Sequence, residues 1–253
     1  MHWVLILGCI VILCIIIFTI FKHRRVQRIH LELTQTVTWD NLWNRANVLK
    51  RSSVLPVRFT LNGIRIRDVL VHNKEKIETI VRTSAEWATQ TANIQVAPFH
   101  IQWRDGPTME YQSSTLYISP DVIGRFTDAD IVLASSHEIA GHHYQENVYP
   151  DNKRQQKEMC GMACERLLRS LSNPLVDRWI LMRVVRGLID LKINAPEKFP
   201  DKPTPEQIYD HFGTKMMTLD AIVSMVTDTP GVGLTYLMDE ENVGKGCGCV
   251  KTN

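Results

Sequence analysis

The residues best placed to do chemistry together fall within one short run, Ser136-His137-Glu138-Ile139-Ala140-Gly141-His142-His143-Tyr144-Gln145. Imidazoles and a carboxylate this close, entered from the apolar stretch Ile131-Val132-Leu133-Ala134, form the donor set of a zinc site with a general base beside it. Zinc takes neutral imidazole or carboxylate ligands in a tetrahedron with one position open. Water there ionises near neutral pH, and a neighbouring glutamate can take the proton.

The spacing imposes a condition on the backbone. In a regular helix a histidine four residues after the first shares its face, but that position is Gly141. His142 and His143 stand five and six residues on, roughly 140° and 120° away around an α-helix. A π-bulge widens one turn by a residue and would swing His142 onto the face of His137, with Gly141 as the permissive position. The pattern therefore reads H-E-x-x-x-H, with His137 and His142 as ligands, His143 as the alternate and Glu138 as the base.

A third ligand is expected from a later helix, where Glu158-Met159-Cys160-Gly161-Met162-Ala163-Cys164-Glu165 offers two carboxylates. They are seven residues apart and so share a face. Glu158 is the nearer choice, Glu165 is the alternate or a supporting partner, and a Cys160 thiolate is a further option.

These side chains need a scaffold, and the pattern predicts a mainly α domain with a small β portion. Residues 29–50 read as a helical lead-in, with a break from Ser52 to Pro56. The alternating stretch 57–71 holds Asn62-Gly63 and reads as a hairpin. Residues 74–92 have helical periodicity. Strands are expected at 98–103 and 115–119, flanking a turn-rich stretch, with either one as the edge on which an extended peptide could add. Thr127 and Asp130 form a capping box for the metal helix, and further helices are expected at 153–171, 174–194, 204–214 and 217–227.

The composition hides two solvents. Residues 3–21 are uncharged and almost wholly apolar, about 28 Å as a helix, close to a bilayer's ~30 Å core. The short n-region and the lack of a small-residue cleavage site favour a retained single-pass anchor over a cleaved signal. Lys22, Arg24, Arg25 and Arg28 follow it, which places the C-terminal domain on the cytoplasmic or inner side of a cellular membrane, or inside a viral envelope. Without those four cations the formal charge of +2 becomes −2, so the basic balance belongs to this collar. The expected organisation is an anchor and collar over 1–28, a zincin-like domain over 29–238 and a Gly/Cys tail over 239–253. The tail ends in no prenylation box. No aromatic and basic interleaving points to nucleic acid.

The run 137–145 resembles the H-E-x-x-P-G-H-H-x-Q signature of a bacterial metallopeptidase-like family catalogued as a domain of unknown function. Lacking the Pro, it matches the shorter H-E-x-x-x-H spacing of the tubulin tyrosine carboxypeptidases. Glu158…Glu165 is similar to the bacterial family's E-G-W-A-L-Y-A-E helix, with the centre changed. Arg183-x-x-Arg186-x-x-x-Asp190 is similar to its R-x-x-R-x-x-x-D-x-x-x-H stretch, with Asn194 in place of the last His. Pro230-Gly231-Val232-Gly233-Leu234-Thr235-Tyr236 is similar to its P-G-x-A-x-S-Y segment. The similarity spans roughly 110–238. It implies a gluzincin-like zinc site with a glutamate as third ligand, Glu138 as base and Tyr236 as oxyanion donor. It also implies that Arg183 or Arg186 holds a substrate carboxylate.

The expected function is thus a membrane-anchored zinc metallopeptidase acting on a peptide or protein, with a carboxypeptidase preference. The alternative is a catalytically silent binding or envelope protein on the same scaffold. Residues 3–21 make the lipid bilayer a partner in either case.

Overall fold

The computed structural model describes residues 38–92, 95–106, 108–148, 154–213, 216–234 and 237, the side chains of 92 and 154–159 excepted. The segment 3–21, the collar, Tyr236 and the tail 239–253 lie outside the described residues. Among the described residues no helix is long and apolar enough to cross a membrane.

Helix α1 (Trp39–Ser53) begins where the Thr38 hydroxyl accepts from the Asn41 N–H. The chain breaks around Pro56 and forms the antiparallel hairpin β1 (Arg58–Leu61) and β2 (Ile64–Arg67). Asn62 and Gly63 both adopt positive φ, at 43° and 85°, as a two-residue turn matched to strand twist requires. Alternation buries Leu61 and Ile66 and exposes Arg58, Arg65 and Arg67. In α2 (Lys74–Ala92) the periodic residues Ile77, Ile80, Val81, Ala85 and Ala88 are all buried.

Three strands follow where the sequence pattern gives two. β3 (His100–Trp103), β4 (Met109–Gln112) and β5 (Thr115–Ile118) form one sheet in the order β3-β5-β4. β3 runs parallel to β5 and β4 antiparallel to it. Ser113 and Ser114 join β4 to β5 at positive φ, 47° and 61°, without the glycine such a turn usually advertises. The expectation that 115–119 is an edge is corrected, because β5 is paired on both sides. β3 is an edge, but the edge that meets the helix carrying His137 and His142 is β4.

From residue 120 the described chain is helical. A reciprocal capping box between Thr127 and Asp130 starts α3 (Asp128–Ser135). Without a break α3 continues into a π-helix (Ser136–His143) and then α4 (Tyr144–Val148). Then come α5 (Arg154–Leu167), α6 (Asn173–Asn194), α7 (Pro205–Phe212) and α8 (Leu219–Asp228). The fold is mostly helical with a small sheet portion, as the pattern implies.

Helix α6 is the axis. Residues 180–191 are all buried, and α1, α7 and α8 pack around it. A helix covered on all sides is normally apolar on all sides, yet this one carries Arg183, Arg186 and Asp190, each of which must find a partner. Asp190, fully buried, accepts from the N–H groups of Gly231 and Gly233 at 3.1 and 3.0 Å and from the Asn194 amide at 2.8 Å. It thereby pins the turn after α8 against the axis. A Cβ on Gly233 would lie 2.8 Å from the Arg186 carbonyl oxygen, so the approach needs glycine.

Asp190→Ala should cost at least about 2 kcal/mol, because buried N–H groups lose a charged acceptor. Asp190→Asn should recover part of that. Thermal unfolding followed by circular dichroism tests both.

Candidate metal centre

The π-helix resolves the spacing problem. Its widened turn puts His142 beside His137, with the rings perpendicular and their centroids 4.6 Å apart. One ligand atom each from His137, Glu138 and His142 lies within 4.8 Å of the others, a cluster fit for a metal ion. His137 is buried, while Glu138 and His142 are half-buried, so the cluster is sheltered on one side and accessible on the other.

Gly141 serves packing more than bending. A Cβ on Gly141 would stand 2.4 Å from the Cα of Gly161 on α5. A Cβ on Gly161 would in turn stand 2.5 to 2.9 Å from Cε1, Nδ1 and Nε2 of His137. The two helices therefore cross glycine to glycine, and the bare backbone of α5 forms the floor under the His137 ring.

Behind that ring sits Glu165. Its Oε1 lies 2.6 Å from His137 Nδ1 and accepts from the Trp179 indole at 2.9 Å. Arg183 donates to both carboxylate oxygens, at 2.7 and 2.6 Å. Burial pushes the Glu165 carboxyl up, but the charges of Arg183 and His137 outweigh it and bring it down to about 2. An ionised carboxylate on Nδ1 fixes the tautomer and orientation of His137 and makes Nε2 the nitrogen suited to ligation.

Glu138 is held from the sheet. The Tyr111 N–H on edge strand β4 donates to its Oε2 at 3.0 Å. The Tyr111 hydroxyl accepts from the Ser114 N–H at 2.9 Å and lies 3.0 Å from His143 Nδ1. Burial, and then Glu146, raise the Tyr111 phenol above its ordinary value.

Several expected ligands and contacts take other places. His143 is not brought to the cluster: it is fully buried, with Nε2 2.8 Å from the Ala97 carbonyl and Nδ1 near Tyr111 and Asn147. A carbonyl oxygen can only accept, so Nε2 donates in that contact, and both ring nitrogens are engaged. Glu165 supports His137 and does not approach as a ligand. Arg183, 3% exposed, is committed to Glu165 behind the site and is no clamp for a substrate carboxylate. Arg186 is buried too, with Nη2 2.6 Å from Met225 Sδ. Cys160 is in a disulfide, which closes the thiolate option, while Cys164 is a buried thiol pushed up to about 12 by burial and then by Glu165. Glu158 lies on α5 one turn before Gly161, on the face shared with Glu165, but its side chain lies outside the described residues. Tyr111, Trp179 and Gly161 are the participants that sequence reasoning missed. A hint was available for Trp179, which stands four residues before Arg183 and so shares its helix face.

Gly161→Ala and Gly141→Ala should each cost about 1–3 kcal/mol by overpacking, seen in chemical denaturation. Gly161→Ala should also weaken metal uptake in a titration by displacing the His137 ring. Acidification tests Glu165 separately. Its folded value lies below the ordinary 4.5, so its contribution is fully present above that value and is lost as pH falls towards about 2. The thermal midpoint should drop across that window. Glu165→Gln should start lower, by about 3–5 kcal/mol for a broken buried pair, and drop less.

No family model matches the sequence, and no curated protein matches it. In fold the chain is similar to the crystal structure of the putative lipoprotein from Colwellia psychrerythraea, with a TM-score of 0.53 and 13% identity. The match covers 85% of this chain and 44% of that one, so the chain spans less than half the length of its structural neighbour.

Proposed function

We propose that this chain is a metal-dependent hydrolase of the metallopeptidase kind, with zinc on His137 and His142, Glu138 as general base and a peptide as substrate. The observation that carries the reading is the π-helix, which costs regular helical hydrogen bonding yet sets two imidazoles and a carboxylate within ligand distance of one another. The donor set fits zinc: two histidines, one backed by a buried carboxylate, with Glu158 proposed as the third ligand. A zinc ion held there would supply a Lewis acid towards a carbonyl group and towards water.

The protein's own groups supply the rest. Glu138, oriented by the Tyr111 N–H, takes the proton of the attacking water and returns it to the leaving amine. Glu165, on Nδ1, keeps the His137 ring from turning and makes its Nε2 a stronger donor towards a metal. Strand β4 is an outer strand of its sheet and runs past Glu138, and an extended peptide adding beside it would present its carbonyl to the cluster. Tyr236 is proposed as the oxyanion donor, three residues beyond Gly233, where Asp190 pins the chain. With Arg183 and Arg186 committed elsewhere, this reading favours cleavage within a chain over a carboxypeptidase preference. Anchorage through 3–21 is retained in the proposal, and the structural neighbour's designation as a putative lipoprotein is in keeping with membrane attachment.

Elemental analysis of the purified full chain should find about one zinc per chain, lost in His137→Ala/His142→Ala. Glu138→Gln should keep the metal and lose peptide hydrolysis by about 10²–10⁴-fold. Hydrolysis undiminished in Glu138→Gln, or a wild-type chain that takes up no metal, would sink the reading.

A further inference from the structure

The hairpin β1–β2 has two faces. Phe59, Leu61, Ile64 and Ile66 turn inward, while Arg58, Thr60, Arg65 and Arg67 are exposed on the other side. The register sets Arg58 directly opposite Arg67, with Arg65 opposite Thr60. Like charges facing each other across a strand pair are destabilising. Among the described residues none of these arginines, nor the exposed Arg51 at the end of α1, makes an ion pair. The one acid in 51–72, Asp68, is tied to Arg178 at 2.7 and 2.8 Å. The strand pair thus carries an uncompensated cost that an anionic partner would remove.

Beside this basic face the surface is apolar. Val54, Leu55, Val69 and Leu70 are 72%, 51%, 52% and 42% exposed, four of the six large hydrophobics that stand out in this way among the described residues. Val54 and Leu70 line one cavity of about 580 Å³, so the two segments that flank the hairpin are neighbours, with Leu55 and Val69 exposed next to them in the chain. Val69 is exposed just past the end of β2, two residues beyond Arg67. Arginines next to exposed aliphatic side chains suit a bilayer interface, where the guanidinium groups meet lipid phosphates and the aliphatic groups enter the headgroup boundary.

We infer that this face docks flat on the surface of an anionic lipid bilayer. The inference rests on the anchorage through 3–21 proposed above, which would bring such a surface within reach. Sixteen residues, 22–37, join the apolar segment 3–21 to Thr38, a reach of at most about 55 Å. α1 then spans roughly 22 Å from that attachment to Arg51 and Val54 at the near end of the patch. A tether of this length keeps the patch at high effective concentration near the membrane, so modest affinity suffices.

The test uses the full chain in lipid nanodiscs, with Leu55→p-benzoylphenylalanine as a photo-cross-linker and lipid adducts read by mass spectrometry. Adducts should form in discs containing phosphatidylserine. They should fall about ten-fold in phosphatidylcholine discs and in Arg58→Glu/Arg65→Glu/Arg67→Glu, and persist in the matching triple lysine variant. The same cross-linker at Val148, apolar and 44% exposed, should give few adducts in either disc. The single Arg67→Glu variant sets opposite charges face to face, so it should unfold no lower than wild type and still lose adducts several-fold. Equal labelling in the two disc types, equal labelling at 55 and 148, or loss of adducts in the lysine variant would overturn the inference. So would cross-links from position 55 to a second copy, another polypeptide or nucleic acid in place of lipid.

Discussion

Glu165 is the buried charge around which the polar interior is organised. It is 3% exposed and ionised, and its two oxygens take up an arginine fork, an indole N–H and the imidazole of His137. A charge so deeply placed is tolerable only when every lone pair is used and an opposite charge lies against it. The arrangement links three elements at one point: α6 through Trp179 and Arg183, α5 through Glu165 itself, and the π-helix through His137. What faces the cluster on one side of His137 is therefore set by an ion pair with the axis of the fold on the other.

The second constraint is steric. A π-turn is irregular and needs its surroundings to hold it, because an α-helical turn would satisfy the backbone better. Here the neighbour that holds it is α5, which comes so close at Gly161 that neither glycine at the crossing has room for a methyl group. Relaxation of the π-turn to α-helix would carry His142 away from His137 and shift Gly141 off its contact. Packing and the convergence of His137, Glu138 and His142 thus go with the same local backbone. That agreement explains how a glycine in a helix interior, ordinarily worth about 1 kcal/mol against stability, can be tolerated there.

Much of this was legible because its signals are local. The Asn62-Gly63 turn, the Thr127–Asp130 capping box and the periodicity of 74–92 each declare an element within a few residues. The widened turn was legible too, since His137, Glu138 and His142 can converge only if one residue is absorbed near Gly141. β4 was not. Its four residues, Met-Glu-Tyr-Gln, are too few to show alternation, three of them are half-buried, and its turn uses two serines where glycine would have been a cue. The partners of α6 were also hidden. Arg183, Arg186 and Asp190 fall at a spacing that reads as one ion-pair row or as a substrate clamp. Yet Arg183 reaches α5, Arg186 reaches α8 and Asp190 holds the turn at 231–233. Helical spacing gives the direction of a side chain, but which element waits there is decided by the packing of segments far away in the chain.

The charge distribution ties the site to the surface. The whole chain carries 29 basic and 27 acidic residues. Setting aside the four collar cations and the four arginines at 51, 58, 65 and 67 leaves 21 basic against 27 acidic residues. The near-neutral total is thus a sum of a basic collar, a basic hairpin face and an acidic remainder. Near an anionic surface such a separation acts as a torque, because the hairpin face is drawn in while the rest is pushed away. A short hairpin with arginines set opposite one another is a poor choice for stability alone. It is a good choice for a domain that must keep one orientation at a charged boundary.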